Sequence, residues 1–305
     1  MKIINNHIKL SDQVRNALER DIPVVALEST IVAHGMPYPE NISFAKQAEQ
    51  IVQKRDAIPA TIAIIDGTIH VGLTETGLNH IADQSTNIEK VAIRDIGRAV
   101  AAGLSGATTG SATMHIARLA GIKVFATGGI GGVHRNAEQT FDVSQDLLAL
   151  SQIPIIVVSA GAKAILDIPK TLEHLETMAV PVIGYKTDEF PAFYSRISEC
   201  RLNTRCDSAK EIVDAYIAQQ ALNIKSALLV ANPVPVKSEI SHKTITGFID
   251  IAIHECAEKK IEGKAVTPFL LKKIVELSGG KSLETNIALA LNNVKLAAEI
   301  AGQFK

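Results

Sequence analysis

Residues 155–163 have the sequence IIVVSAGAK, an apolar run that ends on one charged side chain. A short run without polar and apolar alternation is typical of a strand that is covered on both faces. Similar runs recur at 22–27, 61–65, 91–93, 123–127, 182–185 and 227–231. Amphipathic helical patterns separate these runs. Strand–helix alternation of this kind predicts a layered α/β fold with a largely parallel sheet.

Composition excludes several classes of partner. The 305 residues include 31 basic and 32 acidic side chains, so the chain lacks the basic field of most nucleic-acid binders. Trp is absent and aromatic residues make up 4%, which disfavours a stacking platform for single strands. No run of about 18 apolar residues is free of charge, and the first ten residues lack the apolar core of a secretory signal. We therefore expect no nucleic-acid partner and no membrane partner.

The cysteine pattern indicates a reducing compartment. Cys200, Cys206 and Cys256 are odd in number and irregular in spacing, unlike a disulfide framework. We therefore expect a cytoplasmic protein. The sequence also has no H-x-x-x-H or C-x-x-C zinc motif and no G-x-S-x-G hydrolase motif.

Polar side chains follow three of the predicted strands, at the point where each strand ends. Glu28 follows a Val-Val-Ala-Leu run, Thr127 follows Val-Phe-Ala, and Lys163 follows the 155–162 run. Ligands of open α/β sheets bind beyond the carboxyl ends of the strands. Position alone therefore makes these three residues candidates for a functional site.

Lys163 has two interpretations. Its neighbours in the sequence are small or apolar, and a dry environment there would favour the neutral amine. A neutral amine near a sugar carbonyl is a Schiff-base nucleophile. Most lysines instead bury their stem and reach water with the ammonium group, and the residues by themselves favour this second interpretation.

Glu28 also has two interpretations. A carboxyl group after an apolar strand can act as a general acid or base. It can equally cap the next helix or pair with an arginine. The residues alone leave both interpretations open.

The stretch from Thr127 to Arg135 has the most unusual composition, with four glycines within residues 128–132. Glycines let the backbone approach a ligand and adopt positive φ, and exposed N–H groups can bind phosphate or carboxylate oxygens. A tight turn between a strand and a loop is the alternative. His134 and Arg135 favour an anion or sugar site.

Two further segments carry hydroxyl and carboxylate groups. Asp142, Ser144 and Asp146 offer alternate oxygen ligands that suit a hard divalent cation, although Asp and Ser also cap helices. Residues 106–111, GATTGS, open a helical pattern and either bind phosphate at a helix N-terminus or simply start a helix. The polar segment 188–208 is predicted to be a loop over a site.

Eight segments together resemble the pseudouridine-5′-phosphate glycosidase family, from about residue 22 to the C-terminus. They are ALESTIVAHGMPYPEN at 26–41, GATTGSATM at 106–114, FATGGIGGVHR at 125–135, TFDVSQDL at 140–147, VVSAGAKAILDIPKTLEHLET at 157–177, EFPAFYSR at 189–196, ANPVP at 231–235 and LETNIALALNN at 283–293. The resemblance implies a three-layer α/β/α fold with a largely parallel, mixed sheet. It also implies one catalytic domain over residues 1–305 and a homotrimer.

The resemblance also implies an activity and the residues that perform it. The activity is reversible cleavage of pseudouridine 5′-phosphate to uracil and ribose 5-phosphate. Lys163 would form a Schiff base with C1′ of the ring-opened ribose, Glu28 would move protons, and Asp142 would hold a divalent metal, usually Mn2+, one per subunit. The implied substrate-binding residues are Lys90, Thr109, Gly110, Thr127, His134, Ser144, Gln145, Asp146 and Asn286.

Some positions depart from the family pattern. Gly110 replaces a usual valine, and Glu199 and Lys186 stand where glycines are common. These departures leave two alternatives open. One is a related lyase or synthase that acts on another base, and the other is a phosphosugar-binding protein without turnover.

Overall fold

The computed structural model describes residues 7–261 and 266–304. Within these ranges eleven strands form one sheet. They are β1 (Ile8–Leu10), β2 (Val24–Leu27), β3 (Ile58–Ile65), β4 (Thr68–Val71), β5 (Glu89–Val91), β6 (Gly106–Thr108), β7 (Val124–Ala126), β8 (Ile156–Ser159), β9 (Val182–Tyr185), β10 (Arg205–Cys206) and β11 (Leu228–Ala231).

The sheet is mostly parallel, in the order β1-β4-β3-β2-β7-β8-β11-β9-β10. Strand β3 changes partners along its length. Its first half pairs parallel with β2, and its second half pairs antiparallel with β4 and β6. Strand β6 also pairs parallel with β5. The sheet is therefore mixed, as expected.

Thirteen α-helices connect these strands within the described ranges. They are α1 (Asp12–Glu19), α2 (Thr30–His34), α3 (Glu40–Gln53), α4 (Glu75–Ala82), α5 (Ile96–Ala101), α6 (Gly110–Ala120), α7 (Ala137–Thr140), α8 (Gln145–Gln152), α9 (Ile168–Thr177), α10 (Ala209–Ala221), α11 (His242–Glu258), α12 (Val266–Leu277) and α13 (Lys281–Ala301). Short 3-10 helices span Ile93–Asp95 and Val236–Ser238.

Helices flank the central sheet, which confirms the α/β/α expectation. Helices α6 and α13 both pack on β2 and β7, and α13 also packs on β8. Strands β2, β7, β8 and β11 are buried along their whole length. Apolar side chains on both strand faces therefore meet helices, which explains why these strands are continuous apolar runs. No helix in the described ranges has the length and apolar character needed to cross a membrane.

Two predicted elements differ from the structure in their bounds. The strand expected at 91–93 spans Glu89–Val91, and Ile93 begins a 3-10 helix in which the Asp95 carboxylate accepts from the N–H of Ala92 at 3.1 Å. The first residues of the expected helix start at 106–111 form β6, because their backbone pairs with β3 and β5. Helix α6 then begins at Gly110.

The polar segment after β9 folds back over the carboxyl ends of the strands. The N–H of Phe193 donates to the carbonyl of Ala160 at 3.1 Å, and Ala192 forms a bridge with Gly161. Phe193 has a φ of 61°, an unusual conformation for a bulky residue. This segment thus covers the loop that leads from β8 to Lys163, as predicted for a loop over a site.

Candidate active site

Three neighbouring strands bring Glu28, Thr127 and Lys163 to one edge of the sheet. Strands β2, β7 and β8 are adjacent and parallel, with Leu27 paired to Ala126 and Ala126 paired to Val158. Glu28 and Thr127 therefore leave their strands side by side. Lys163 follows β8 by four residues, and its N–H donates to the carbonyl of Ile130 at 3.1 Å. That bond fixes the Lys163 backbone against the glycine stretch.

Glu28 is a buried carboxyl group, with 8% of its surface exposed. The Thr127 hydroxyl donates a hydrogen bond to its Oε1. Burial raises the pKa of Glu28, while the charge of Lys163 and the Thr127 hydrogen bond oppose the rise. A carboxyl group with a raised pKa can both release and accept protons near neutral pH.

Lys163 is half-buried and lies at the junction of two cavities. One is the inner cavity, lined by Glu28, Thr30, Ile31, His34, Gly35, Lys90, Gly128, Gly129, Lys163, Phe193, Pro268, Leu271 and Asn286. The other is the outer cavity, lined by Lys90, Ala92, Arg94, Asp95, Thr109, Ser111, Gly131, His134, Asp142, Val143, Ser144, Gln145, Asp146, Lys163 and Leu166. Lys163 therefore shares the inner cavity with Glu28.

The two cavities differ in chemistry. The inner one has an apolar wall formed by Ile31, Phe193, Pro268 and Leu271. The outer one carries the side chains of Lys90 and Arg94, three aspartates and several hydroxyl groups. A ligand that contacts Lys163 can thus place an apolar group on one side and a charged group on the other.

Asp146 binds two backbone segments of the outer cavity. Its Oδ1 accepts from the N–H of Ser111 at 2.7 Å, and its Oδ2 accepts from the N–H of Gly131 at 2.8 Å. Ser144 caps α8 by accepting from the Asp146 N–H at 3.2 Å. The buried Asp146 carboxylate therefore connects the first turn of α6 to the glycine stretch.

The glycines at 128–132 do not adopt positive φ, contrary to expectation. Close packing is the reason that the chain needs them. A β-carbon on Gly129 would lie 2.6 Å from the Phe193 ring, and one on Gly131 would lie 2.1 Å from the Ser144 hydroxyl. The Gly131 N–H, expected to bind a ligand anion, binds the protein's own Asp146 carboxylate.

Asp142 and His134 form the rim of the outer cavity. Oδ2 of Asp142 lies 3.9 Å from Nδ1 of His134, and 48% of the Asp142 side chain is exposed. Burial lowers the pKa of His134, and the Asp142 charge opposes this effect. Helix α8 begins after Ser144, so Asp142 is not its cap.

The donor set of the outer cavity fits a hard cation that keeps most of its water. In residues 7–261 and 266–304, no three His, Cys, Asp or Glu side chains come together as a metal cage. Of the three aspartates in this cavity, Asp95 and Asp146 accept from backbone N–H groups, and Asp142 offers a partly exposed carboxylate. Mg2+-like ions are often bound through one or two carboxylates plus water and substrate oxygens, and Mn2+ accepts the same ligands.

The remaining candidate residues fall at different places. Lys90, Thr109 and Gln145 line the outer cavity, and Lys90 and Asn286 line the inner cavity. Oδ1 of Asn286 is buried and has no hydrogen-bond partner within the described part of the chain. Gly110 lines neither cavity but lies directly against Asp146. Thr127 lines neither cavity, but its hydroxyl donates a hydrogen bond to Glu28, which lines the inner one.

Sequence reasoning missed several residues of the inner cavity. His34 ends the short helix α2, whereas Pro268 and Leu271 come from α12. His34 lies within the 26–41 motif, which was the only available signal for it. The apolar wall carried no signal, because isolated apolar residues on a helix are indistinguishable from core positions.

Comparisons with known proteins agree with this architecture. The family model described as indigoidine synthase A like protein matches residues 13–303. The pseudouridine-5′-phosphate glycosidase of Solibacter usitatus is 52% identical over 295 residues, covering 97% of this chain and 98% of the relative. That of Geobacillus kaustophilus is 51% identical over 301 residues, covering 99% and 100%.

Two solved structures share the fold over nearly the full chain. The prealnumycin C-glycosynthase AlnA, in complex with ribulose 5-phosphate, superposes with a TM-score of 0.90 at 37% identity, covering 98% of this chain and 97% of that one. An indigoidine synthase A-like protein from Thermotoga maritima superposes with a TM-score of 0.89 at 39% identity, covering 99% and 98%.

Proposed function

Because the chain belongs to the pseudouridine-5′-phosphate glycosidase family, we propose that it cleaves pseudouridine 5′-phosphate to uracil and ribose 5-phosphate, reversibly. The observation that supports this proposal most directly is the position of Lys163. It lies between the two cavities and shares the inner one, which has an apolar wall, with a buried carboxyl group. We propose Lys163 as the nucleophile and Glu28 as the proton donor and acceptor.

The chemistry explains why an amine is needed. A carbon–carbon glycosidic bond has no heteroatom lone pair that an acid could protonate, unlike an ordinary glycoside. In the proposed reaction the C1′–O4′ bond breaks and O4′ gains a proton. Nζ of Lys163 then bonds to C1′. Protonation of uracil C5 accompanies cleavage of the C1′–C5 bond and leaves a C1′–Lys163 iminium. Water hydrolyses the iminium and releases ribose 5-phosphate.

Glu28 is suited to both proton transfers. Its pKa is raised by burial, so the protonated form is accessible when O4′ or C5 needs a proton. Lys163 and Thr127 counter this rise, so the ionised form can take the proton back. Water supplies the proton that balances the overall hydrolysis.

We propose that the outer cavity binds the phosphate group and the ribose chain. Lys90 and Arg94 supply positive charge there, and Thr109, Ser144, Gln145 and His134 supply hydrogen-bonding groups. Binding energy from the non-reacting phosphate would hold C1′ near Nζ of Lys163. Asp146 supports this cavity through the backbone, and its two hydrogen bonds keep Ser111 and Gly131 in place.

We propose that Asp142 binds one Mn2+ or similar divalent cation per subunit, with water filling most of its coordination sphere. A bound cation would supply positive charge for substrate oxygens. Nδ1 of His134 lies 3.9 Å from Oδ2 of Asp142, so the imidazole is next to the proposed cation site.

We also propose a cytoplasmic homotrimer in which the whole chain acts as one catalytic domain. All three cysteines are free thiols, which suits a reducing compartment. The side chain of Phe141, next to Asp142, is 84% exposed, and Leu148 on α8 is also exposed. Burial of these side chains between subunits would remove apolar surface from water. The single eleven-stranded sheet supports one domain.

The decisive experiment incubates purified protein with pseudouridine 5′-phosphate and Mn2+ and measures uracil by chromatography. Borohydride reduction should trap a ribose phosphate adduct, which peptide mass spectrometry should locate on Lys163. Lys163→Ala should abolish both signals, while Lys54→Ala, on the exposed end of α3, should change neither. Normal turnover by Lys163→Ala would overturn the proposed mechanism.

A synthase that joins another base to the phosphosugar is the second candidate. The structural similarity to a C-glycosynthase at 37% identity favours it. Condensation of ribose 5-phosphate with a panel of flat carbon nucleophiles, read by mass spectrometry, separates the two. Uracil as the best acceptor supports the glycosidase.

A further inference from the structure

His34 lies inside the site but has no role in the mechanism described above. It is the last residue of α2, the short helix that follows Glu28. Its ring lines the inner cavity together with Glu28, Lys90 and Lys163. Its Nε2 is buried and has no hydrogen-bond partner of good geometry within the described residues. The backbone of Glu89 and Ile88 hydrogen-bonds the imidazole, so one ring nitrogen is engaged by the protein and the other is left for a partner that arrives with the ligand.

The surroundings of His34 determine what kind of partner fits. Burial lowers the pKa of His34, and the nearby charge of Lys90 lowers it further, while the backbone of Glu89 and Ile88 only partly offsets these effects. The ring is therefore neutral near pH 7 and has one N–H and one lone-pair nitrogen. Backbone carbonyls can engage only the N–H. The lone pair remains available for a donor.

A second unpartnered acceptor lines the same cavity. Oδ1 of Asn286, on α13, is buried and has no hydrogen-bond partner in the described part of the chain. Part of the wall is apolar, formed by Ile31, Phe193 and Leu271, and it faces the charged groups of Glu28, Lys90 and Lys163. Such a cavity suits a flat group with apolar faces and N–H donors on its edge.

The position of Lys163 indicates which part of the substrate enters this cavity. C1′ must reach Nζ of Lys163, which lies at the junction of the cavities. The phosphate has its complement in the outer cavity, next to Lys90 and Arg94. The base is attached to C1′ and the phosphate to C5′, at opposite ends of the sugar chain, so with the phosphate in the outer cavity the base extends into the inner cavity. This step rests on the proposed function.

We propose that His34 is a specificity residue, whose imidazole accepts a hydrogen bond from a ring N–H of the pyrimidine in the inner cavity. Asn286 accepts a second hydrogen bond from the same base. A site that hydrogen-bonds a substrate N–H rejects analogues that lack it, because the buried acceptor is then left without a partner. His34 thus selects the base, and Lys163 acts on the sugar.

The test uses the reverse reaction, because it separates the base from the sugar. His34→Leu removes the acceptor and keeps the bulk, and His34→Gln retains an acceptor oxygen. The KM for uracil should rise about tenfold in His34→Leu and less in His34→Gln. Borohydride trapping of ribose 5-phosphate on Lys163, which needs no base, should stay within about twofold of wild type. His115→Leu, a partly buried histidine outside both cavities, is the matched control.

Methylated bases identify the hydrogen bond itself. Wild-type protein should condense 1-methyluracil or 3-methyluracil with ribose 5-phosphate less efficiently than uracil. In His34→Leu this difference in efficiency should be lost. The proposal is overturned if His34→Leu keeps the wild-type uracil KM or the wild-type discrimination. It is also overturned if trapping of ribose 5-phosphate falls as far as condensation does, which would indicate a structural role. Absence of any adduct in wild-type protein would instead refute the proposed function.

Discussion

A β-carbon on Gly110 would lie 2.9 Å from Oδ2 of Asp146. That oxygen accepts a hydrogen bond from Gly131, and the other oxygen of the same carboxylate accepts from Ser111. Because Asp146 is buried, a larger residue at position 110 must displace a carboxylate that has little room to move.

Gly110→Ala should therefore destabilise the fold around the outer cavity and weaken substrate binding there. Loss of one hydrogen bond to a buried carboxylate should lower the free energy of unfolding by about 1–3 kcal/mol. The KM for pseudouridine 5′-phosphate should rise as well, because Ser111 and Gly131 line the phosphate side. Urea denaturation and steady-state kinetics measure the two effects. Gly97→Ala is the control, since a β-carbon there meets nothing within 4 Å, and it should be neutral or stabilising. Equal behaviour of both variants would contradict the role given to Asp146.

Glu28→Gln should abolish turnover and should raise thermal stability once the pH exceeds the ordinary glutamate value of 4.5. Burial raises the folded-state pKa of Glu28 above its ordinary value of 4.5, so the folded protein binds the proton more tightly than the unfolded chain. The resulting stability is present below pH 4.5 and is lost as pH rises through the folded-state pKa. Glutamine does not titrate, so the Tm difference should grow by a few degrees between acidic and neutral pH.

Calorimetric scans at several pH values measure this difference. The control is Glu173→Gln, at an exposed position of α9, which should track wild type at every pH. A pH-independent Tm difference would show that ionisation of Glu28 carries no folding penalty.

Thr127→Val should move the pH profile of kcat/KM. The Thr127 hydroxyl donates to Glu28 and so lowers the pKa of Glu28 relative to burial alone. Removing the hydroxyl should raise that pKa further, and the limb that reports Glu28 should shift to higher pH. Thr61→Val is the control, because the Thr61 hydroxyl donates to Glu49 at 2.6 Å and not to Glu28. A shift to lower pH would mean that the hydrogen bond stabilises protonated Glu28, with Glu28 as the donor and Thr127 as the acceptor.

Asp142→Asn should weaken Mn2+ binding by about tenfold or more, because one carboxylate ligand is lost. Isothermal titration calorimetry or the Mn2+ paramagnetic signal measures the affinity independently of activity. Asp250→Asn provides a matched control, since Asp250 is exposed and pairs with Arg135 at 3.0 Å. Unchanged Mn2+ affinity in Asp142→Asn would place the cation elsewhere.

Much of the sheet edge that carries the candidate site could be predicted from the sequence. Apolar runs identified β2, β7 and β8, and the polar residue after each run marked the edge where Glu28, Thr127 and Lys163 lie. This worked because buried parallel strands carry a strong local signal. Strand β6 gave no such signal, since it has three residues, one of them glycine, and depends on pairing with β3 and β5.

Properties that depend on distant partners could not be predicted. The glycine at 129 is required by the ring of Phe193, which lies far along the chain. Asp146 has the pattern of a ligand residue, but its carboxylate is occupied by backbone N–H groups from two other segments. The function of His34 depends on α12 and α13, which complete the inner cavity from the end of the chain.

The inner cavity is assembled from two kinds of chain segment, and this has an evolutionary consequence. Glu28 and Lys163 follow central strands that cannot shift without disturbing the whole core, whereas Pro268 and Leu271 belong to a peripheral helix. Substitutions on that helix can reshape the inner cavity while the Lys163 amine and the Glu28 carboxyl group stay fixed. Descendants of one ancestral enzyme could thus exchange one aglycone for another and keep the proposed covalent step.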